Sequence, residues 1–210
     1  MHPEFGCDEF SQASGVSRET LTCLSSFVDF LREWNALHNL VSKASFADVW
    51  WRHVWDSAQL SAYIPLHANT LVDLGSGAGF PGLVLAALRR QQAGFRTVLY
   101  EATRKKCEFL REAGARMGVD IEVRCKRIEE APPEIFDVVT SRACAPLNKL
   151  LGYASRFQGP RTVNLFLKGQ AVGQELTEAS IYWGMQRAQH SSCTYGLGRI
   201  LEIRGLARAR

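Results

Sequence analysis

A glycine-rich stretch gives the clearest chemical signal in this sequence. Residues 70–88, TLVDLGSGAGFPGLVLAAL, place an apolar run carrying Asp73 before the glycines and a second apolar run after Pro81. This order predicts a strand, a glycine loop and a helix. Glycines allow positive φ angles and a close approach of the backbone to a ligand, and a helix N-terminus attracts polar or anionic groups. The stretch therefore predicts a cradle for a nucleotide-like ligand.

Two ligand-binding patterns overlap in this loop. Residues 77–82 fit G-x-G-x-x-G, the dinucleotide pattern, which is weak by itself. Residues 73–79 fit D-x-G-x-G-x-G, the pattern of S-adenosylmethionine (AdoMet) methyltransferases, which is more specific because it also fixes Asp73 in the strand. AdoMet and NAD both stay open at this point, and a simple turn between a buried strand and a helix is the plainest alternative.

Three charged residues follow later strands of the predicted sheet. Residues 96–101 predict a second strand that ends in Glu101, about 20 residues after the loop, where an acid contacts the ribose hydroxyls of a bound nucleoside. Residues 136–141 and 162–167 predict two further strands, followed by Arg142 and Lys168. Ligands of open α/β sheets bind outside the carboxyl ends of the strands, so we expect both cations on the ligand side.

Composition limits the class of protein. The chain has 210 residues, 46% hydrophobic and 22% charged, with a formal net charge of +4, which permits a nucleic-acid partner without requiring one. Its six cysteines form no C-x-x-C pair, so no metal site is expected, and their scatter suggests reduced, buried thiols. The sequence shows neither a signal-peptide layout nor a membrane-length apolar run, so we expect a cytoplasmic protein.

Two helices are expected before the glycine loop. Residues 1–16 lack periodicity and suggest a loose lead-in; Ser17 then caps a helix that runs to about residue 35. A second helix, residues 46–63, carries three tryptophans that we expect to pack on the following domain. On residue types alone, its Arg52, His53 and Asp56 fit a solvated face with a weak ion pair.

Strands and helices alternate from residue 70 onward. Five strands and two weaker ones predict an α/β fold with a mostly parallel, seven-stranded sheet. We predict a helical extension over residues 1–65 and one compact ligand-binding unit over residues 66–210. The helix at 103–117 begins with Arg104, Lys105 and Lys106, although cations are disfavoured there. An anionic partner would explain them, and surface solubility is the commoner explanation.

The chain resembles the bacterial small-subunit ribosomal RNA guanine-N7 methyltransferases (the RsmG family, also called GidB). The resemblance covers about residues 34–201, and its most distinctive parts are the loop ending in Phe-Pro-Gly and the upstream R-H-x-x-D-S segment. The matching residues are Trp34-Asn35 with Asn39-Leu40, Arg52-His53 with Asp56-Ser57, the loop 73–82, Lys105-Lys106 with Phe109-Leu110, Ser141-Arg142-Ala143 and Leu167-Lys168-Gly169.

The resemblance implies a class I (Rossmann-like) methyltransferase with an N-terminal helical extension, AdoMet as methyl donor and a guanine of 16S-type ribosomal RNA as acceptor. Arg142 would lie at the methyl-transfer site and border the cofactor, and Arg52, His53, Lys105 and Lys168 would contact RNA. The implied cofactor-binding residues are Asp73, Gly75, Ser76, Gly77, Gly79 and Phe80 of the loop, Glu101 at the ribose, Ile128 and Glu129 beside the adenine, and Arg142. Family members usually carry Asp-Ser where this chain has Glu101-Ala102, and a glutamate can still accept hydrogen bonds from ribose.

The implied chemistry needs no general base, because guanine N7 offers a lone pair and no proton. The expected partner is small-subunit ribosomal RNA or the assembled subunit, with the protein acting as a monomer. The C-terminal Arg208 and Arg210 are further candidates to hold phosphates. The alternatives are a class I methyltransferase of a small molecule or protein, an NAD-dependent dehydrogenase, and an RNA-binding scaffold without activity.

Overall fold

A seven-stranded sheet forms the centre of the protein in a computed structural model that describes residues 5–194 and 196–209. The strands lie in the order β3-β2-β1-β4-β5-β7-β6, and within this described sheet β7 runs in the opposite direction to the other six strands. The mostly parallel, seven-stranded α/β prediction is confirmed. The strands are β1 (Thr70–Leu74), β2 (Arg96–Glu101), β3 (Ile121–Cys125), β4 (Val138–Arg142), β5 (Val163–Lys168), β6 (Trp183–Ser191) and β7 (Arg199–Arg208).

Helices cover both faces of the sheet. The glycine loop leads from β1 into the helix predicted after Pro81, and the later helices alternate with strands as expected. The helices are α1 (Cys7–Ser14), α2 (Arg18–His38), α3 (Lys43–Phe46), α4 (Asp56–Ala58), α5 (Gly82–Arg89), α6 (Arg104–Met117), α7 (Leu147–Ala154) and α8 (Val172–Ala179), with short 3-10 turns at Ile128–Glu130 and Ser155–Phe157.

The N-terminal helices share a core with the sheet. Phe27 and Phe30 of α2 lie against Phe80 of the glycine loop and Phe109 of α6, with ring centroids 5.2–5.4 Å apart for the pairs Phe27–Phe80 and Phe30–Phe109. Aromatic pairs at this spacing add to the stabilisation from burial. The boundary predicted at residue 65 falls in the segment between these helices and β1, and it stays a prediction as a domain boundary.

The expectation of a loose lead-in over residues 1–16 is wrong for residues 7–14, and its first four residues lie outside the described residues. Residues 7–14 form helix α1, and Phe10 is fully buried between the rings of Trp50 and Trp55. Trp50 and Trp55 therefore pack against α1 as well as on the main core. A helix of two turns that buries one large side chain is too short to show periodicity in the sequence.

The helix predicted over residues 46–63 is interrupted. It begins as α3, becomes a π-helical stretch at Trp50–Trp55, continues as α4 and ends in a 3-10 turn at Gln59–Tyr63. The solvated face expected for Arg52, His53 and Asp56 is wrong, since His53 and Asp56 are buried. A second correction concerns the six cysteines, which are all free thiols but are not all buried. Cys23 and Cys107 are buried, Cys7 and Cys144 are half-buried, and Cys125 and Cys193 are exposed.

Candidate active site

The Asp73 carboxyl group fixes the glycine loop to the sheet. It is completely buried; its Oδ2 accepts a hydrogen bond from the Gly82 N–H (3.3 Å), and its Oδ1 accepts one from the Thr140 hydroxyl of β4 (2.9 Å). Burial raises the pKa of Asp73 to about 6, although these hydrogen bonds oppose the shift. Asp73 therefore supports the loop from behind, with both oxygens bonded inside the protein.

The Glu101 side chain links the segments that follow strands β1 and β2. Its carboxylate accepts hydrogen bonds from the N–H of Gly77 in the loop (3.0 Å) and of Thr103 at the start of α6 (2.8 Å). The Gly75 and Ser76 N–H groups both donate to the Tyr100 carbonyl of β2, at 3.0 Å. These bonds hold the loop and Glu101 side by side, as the sequence predicted from their separation.

This arrangement fits a nucleoside with free ribose hydroxyls. Each oxygen of the Glu101 carboxylate accepts one backbone hydrogen bond and keeps acceptor capacity for another. Gly75 adopts a φ of +71°, and a β-carbon there would lie 2.6 Å from the Cys144 sulfur, so only glycine fits at this turn. The loop thus presents backbone next to a carboxylate, which suits AdoMet.

Arg142, at the end of β4, is held by the N-terminal helical segment. Its Nη1 donates to the Arg52 carbonyl (3.1 Å), its Nη2 donates to His53 Nδ1 (2.7 Å), and Nη1 lies 3.6 Å from Asp56 Oδ2. Its guanidinium carbon lies 5.0 Å from the centroid of the Phe80 ring. The fork of the guanidinium is thereby fixed in orientation.

His53 is a neutral acceptor in this cluster. Burial, reinforced by the charges of Arg142 and Arg52, lowers the pKa of His53 to about 3. Because a guanidinium can only donate, Nδ1 must accept, and the ring proton is on Nε2. His53 also stacks on Phe80, with ring centroids 5.0 Å apart. Nδ1 is thus occupied, which leaves His53 unsuited to act as a base.

A cavity of about 630 Å³ opens beside Arg142. We call it the Arg142 cavity. Ala143, on its wall, adopts a φ of +51°, a conformation that side-chain-bearing residues rarely adopt and that is often found at functional sites. Its lining comes from the carboxyl ends of β4 and β5, the start of α8, the helical segment before β1 and the β6–β7 connection: His53, Asp56, Arg142, Ala143, residues 167–172, Glu175, Ser192 and residues 197–199.

The remaining predicted residues lie in different settings. Phe80 points into the core against His53 and Phe27. Ile128 is buried, and the Glu129 carboxylate accepts a hydrogen bond from the Tyr153 hydroxyl at 2.7 Å. Lys105 is exposed on α6.

The other residues predicted to contact RNA differ in their exposure to solvent. Lys168 lines the Arg142 cavity but is only 11% exposed, and its Nζ lies 2.5 Å from the Glu175 carboxylate. Arg208 is exposed and lies over the ring of Trp183. Arg210 lies outside the described residues.

The residues that surround Asp56 are not predicted by the sequence. Its Oδ1 accepts hydrogen bonds from Gln59 Nε2 (2.9 Å) and from the hydroxyls of Ser192 (3.3 Å) and Thr194 (2.5 Å). The R-H-x-x-D-S segment pointed to Asp56. No sequence signal points to Ser192 or Thr194, which lie more than a hundred residues away in a polar connection.

Two further observations concern the described part of the chain, residues 5–194 and 196–209. Among these residues, no group of three His, Cys, Asp or Glu side chains is placed to bind a metal ion. Within the same residues, no helix combines the length and apolar character needed to cross a membrane.

Similar folds define the class. A putative O-methyltransferase from Klebsiella pneumoniae has a TM-score of 0.61 at 15% identity, covering 94% of each chain. An O-methyltransferase from Bacillus cereus has a TM-score of 0.57 at 18% identity, covering 85% of this chain and 90% of its own. The predicted class I AdoMet-dependent methyltransferase fold is confirmed.

Sequence relatives define the family. The family model described as rRNA small subunit methyltransferase G matches residues 20–202. Proteins of that name from Parvibaculum lavamentivorans and Gluconobacter oxydans are 44% and 45% identical, covering 95% and 92% of this chain and 89% and 97% of their own lengths. The chain belongs to this family of enzymes, whose methyl donor is AdoMet. The match begins inside α2, earlier than the resemblance noted from residue 34.

Proposed function

We propose that this protein transfers a methyl group from AdoMet to N7 of a guanine in 16S-type small-subunit ribosomal RNA. Its main support is the family match over residues 20–202, which spans both the glycine loop and the elements that line the Arg142 cavity. AdoMet, when bound, supplies an electrophilic methyl group. The site then has one main task, which is to align the acceptor base with that group.

The donor side is assigned to the loop and the ends of β1 and β2. The backbone of Gly75, Ser76, Gly77 and Gly79 would line the donor, and Glu101 would accept hydrogen bonds from the ribose hydroxyls. Ile128 and Glu129 would lie beside the adenine. Asp73 and Phe80 contribute indirectly, because the first is bonded to Gly82 and Thr140 and the second packs on His53.

The acceptor side is assigned to the Arg142 cavity. Guanine N7 carries an in-plane lone pair and no proton, so no side chain has to remove one. This agrees with a neutral His53 whose Nδ1 already accepts from Arg142. Arg142 would orient the base by donating to its O6, which leaves the N7 lone pair free for the methyl group, and the guanidinium fork is itself fixed by Arg52, His53 and Asp56.

Access to N7 limits the form of the substrate. The major groove of A-form RNA is too deep and narrow for side chains, so the target guanine has to lie in a loop or be splayed out. Arg52, Lys105 and Arg208 would contact phosphates, whereas Lys168 and His53 would shape the cavity wall. A net charge of +4 supplies little affinity for bare RNA, so we favour the assembled subunit as substrate. We propose that the enzyme acts as a monomer in the cytoplasm.

Methyl transfer to unmodified subunits tests the proposal. Small subunits lacking the modification, incubated with labelled AdoMet and this protein, should acquire label at one guanine, and mapping should place the methyl group on N7. Free 16S-type RNA should be labelled more slowly than the subunit. Absence of label on both substrates, or methylation of an atom other than N7, contradicts the proposed function.

A further inference from the structure

Asp56 lies between two walls of the Arg142 cavity that come from distant parts of the chain. On one side, its Oδ2 faces Arg142 Nη1 at 3.6 Å. On the other side, its Oδ1 accepts hydrogen bonds from the Thr194 and Ser192 hydroxyls of the β6–β7 connection. Arg142, Asp56 and Ser192 all line the cavity. One buried carboxylate thus contacts both walls.

The bonds to the β6–β7 connection form a network. Gln59 Nε2 donates to Asp56 Oδ1 and to the Ser192 hydroxyl, at 2.9 and 3.0 Å, while Gln59 Oε1 accepts from the Cys193 N–H at 2.9 Å. Trp51 Nε1 donates to the Thr194 carbonyl at 3.1 Å. Hydrogen bonds to a charged, buried acceptor are stronger than neutral ones, so the Asp56 carboxylate is the strongest acceptor in this network.

The network joins residues 192–194 of the β6–β7 connection to residues 51–59. The connection joins the last two strands at the end of the sheet, and the Ser192 N–H closes it by donating to the Gly198 carbonyl at 3.1 Å. Gly198 and Arg199 continue the cavity wall beyond this point. The position of that wall relative to Arg142 is therefore set by contacts to residues 51–59 and not by β-sheet pairing alone.

We propose that Asp56 is a positioning residue that couples Arg142 to the β6–β7 connection through Thr194. It would hold the Arg142 guanidinium in a fixed position relative to the opposite wall of the Arg142 cavity. This rests on the proposed function for the identity of the acceptor. Asp56 itself does not contact the reacting atoms. Its effect is transmitted through the orientation of Arg142 and through the wall that contains Ser192.

The test removes the Thr194 hydroxyl while keeping the size of the side chain. Thr194→Val should lower kcat/KM for the small subunit about tenfold, the loss of one hydrogen bond to a buried charge. The dissociation constant for AdoMet should change less than about twofold, since the loop and Glu101 are untouched. Thr194→Ser, which restores the hydroxyl, should recover activity to within about twofold of wild type.

A control variant and a double variant show whether the loss of activity in Thr194→Val arises from its contact with Asp56. Thr22→Val removes an exposed hydroxyl that donates to the Arg18 carbonyl in α2, far from the cavity, and should leave all parameters unchanged. Asp56→Asn should lower kcat/KM more than Thr194→Val does, because Asp56 also faces Arg142 and accepts hydrogen bonds from Gln59 and Ser192. The double variant should be no worse than Asp56→Asn alone, because the Thr194 hydroxyl acts through the Asp56 carboxylate.

Several results would contradict the proposed coupling through Asp56. Wild-type activity in Thr194→Val, an equally impaired Thr194→Ser, additive losses in the double variant, or a parallel loss of AdoMet affinity and melting temperature would each overturn the coupling. A wild-type protein that does not methylate the subunit would instead contradict the proposed function, and the two failures are therefore distinguishable.

Discussion

The donor side and the acceptor side of this site are built in different ways. On the donor side, Asp73 and Glu101 accept hydrogen bonds from the backbone N–H groups of Gly82, Gly77 and Thr103, all close to the ends of two adjacent strands. On the acceptor side, Arg142 and Asp56 are held by side chains and carbonyls from three segments far apart in sequence. Backbone groups at neighbouring strand ends, with one hydrogen bond from Thr140 of β4, therefore fix the donor side, and side-chain contacts between distant segments fix the acceptor side.

The two sides also differ in their buried titratable groups. Burial raises the pKa of Asp73 to about 6 and lowers the pKa of His53 to about 3. In both cases burial disfavours the charged form, but the consequences for pH have opposite signs. As the pH falls below about 6.5, the usual His pKa, the unfolded chain binds a proton at His53 that the folded state does not, so the free energy of unfolding decreases. As the pH falls below about 6, the folded state binds a proton at Asp73 before the unfolded chain does, so the free energy of unfolding increases.

The largest effect expected among the variants proposed here is the pH dependence of stability at Asp73. Its pKa rises from 3.8 in the unfolded chain to about 6 in the fold. The native state therefore binds more protons in this window, and Asp73 lowers the free energy of unfolding by about 3 kcal/mol as pH rises through it. The difference in unfolding free energy between wild type and Asp73→Asn, from urea titrations at pH 4 to 7, should fall by that order and then level off.

Asp137→Asn provides the matched control on the same sheet. The Asp137 carboxylate accepts hydrogen bonds from the Asn69 and Thr70 N–H groups, and its pKa is lowered because these bonds outweigh its burial. The corresponding difference for Asp137→Asn should therefore stay level between pH 4 and 7 and fall only below about pH 4. The same slope in both variants would contradict the role assigned to Asp73.

Removal of the Arg142 side chain should separate methyl transfer from donor binding. Arg142→Ala should lower kcat about a hundredfold, about 2.7 kcal/mol, because the acceptor base loses the group that orients it. The AdoMet dissociation constant should change less than about threefold. Arg161→Ala, at an exposed position away from the cavity, is the control and should match wild type. Equal losses of AdoMet affinity and transfer would place Arg142 on the donor side instead.

The same difference between the two sides explains what could be predicted from the sequence. The strand, the glycine loop, Glu101 and the later strand and helix order are carried by short-range patterns and agree with the structure closely. The burial of His53 and Asp56 and the helix around Phe10 depend on contacts that no local pattern records. Family resemblance pointed to Arg52, His53 and Asp56, but it did not indicate Ser192 or Thr194.

A smaller effect is expected where the donor loop enters helix α5. A β-carbon at Gly82 would lie 2.8 Å from Asp73 Oδ2 and even closer to Leu99 Cδ2, and both neighbours are fully buried. Gly82→Ala should therefore lower the free energy of unfolding by about 1–3 kcal/mol through overpacking, and it should weaken AdoMet binding because Asp73 and the loop must shift. Urea titration and AdoMet titration measure the two effects.

Gly173→Ala is the matched control for this change. Gly173 lies in helix α8, and a β-carbon there would meet nothing within 4 Å, so alanine should be neutral or stabilising by up to about 1 kcal/mol. AdoMet affinity should be unchanged in this variant. If Gly82→Ala kept full AdoMet affinity and full transfer, the tight contact between Gly82 and Asp73 would not be what fixes the donor loop. The donor side would then tolerate a shift of its loop. The acceptor side, which is held by separate segments, is expected not to tolerate such a shift.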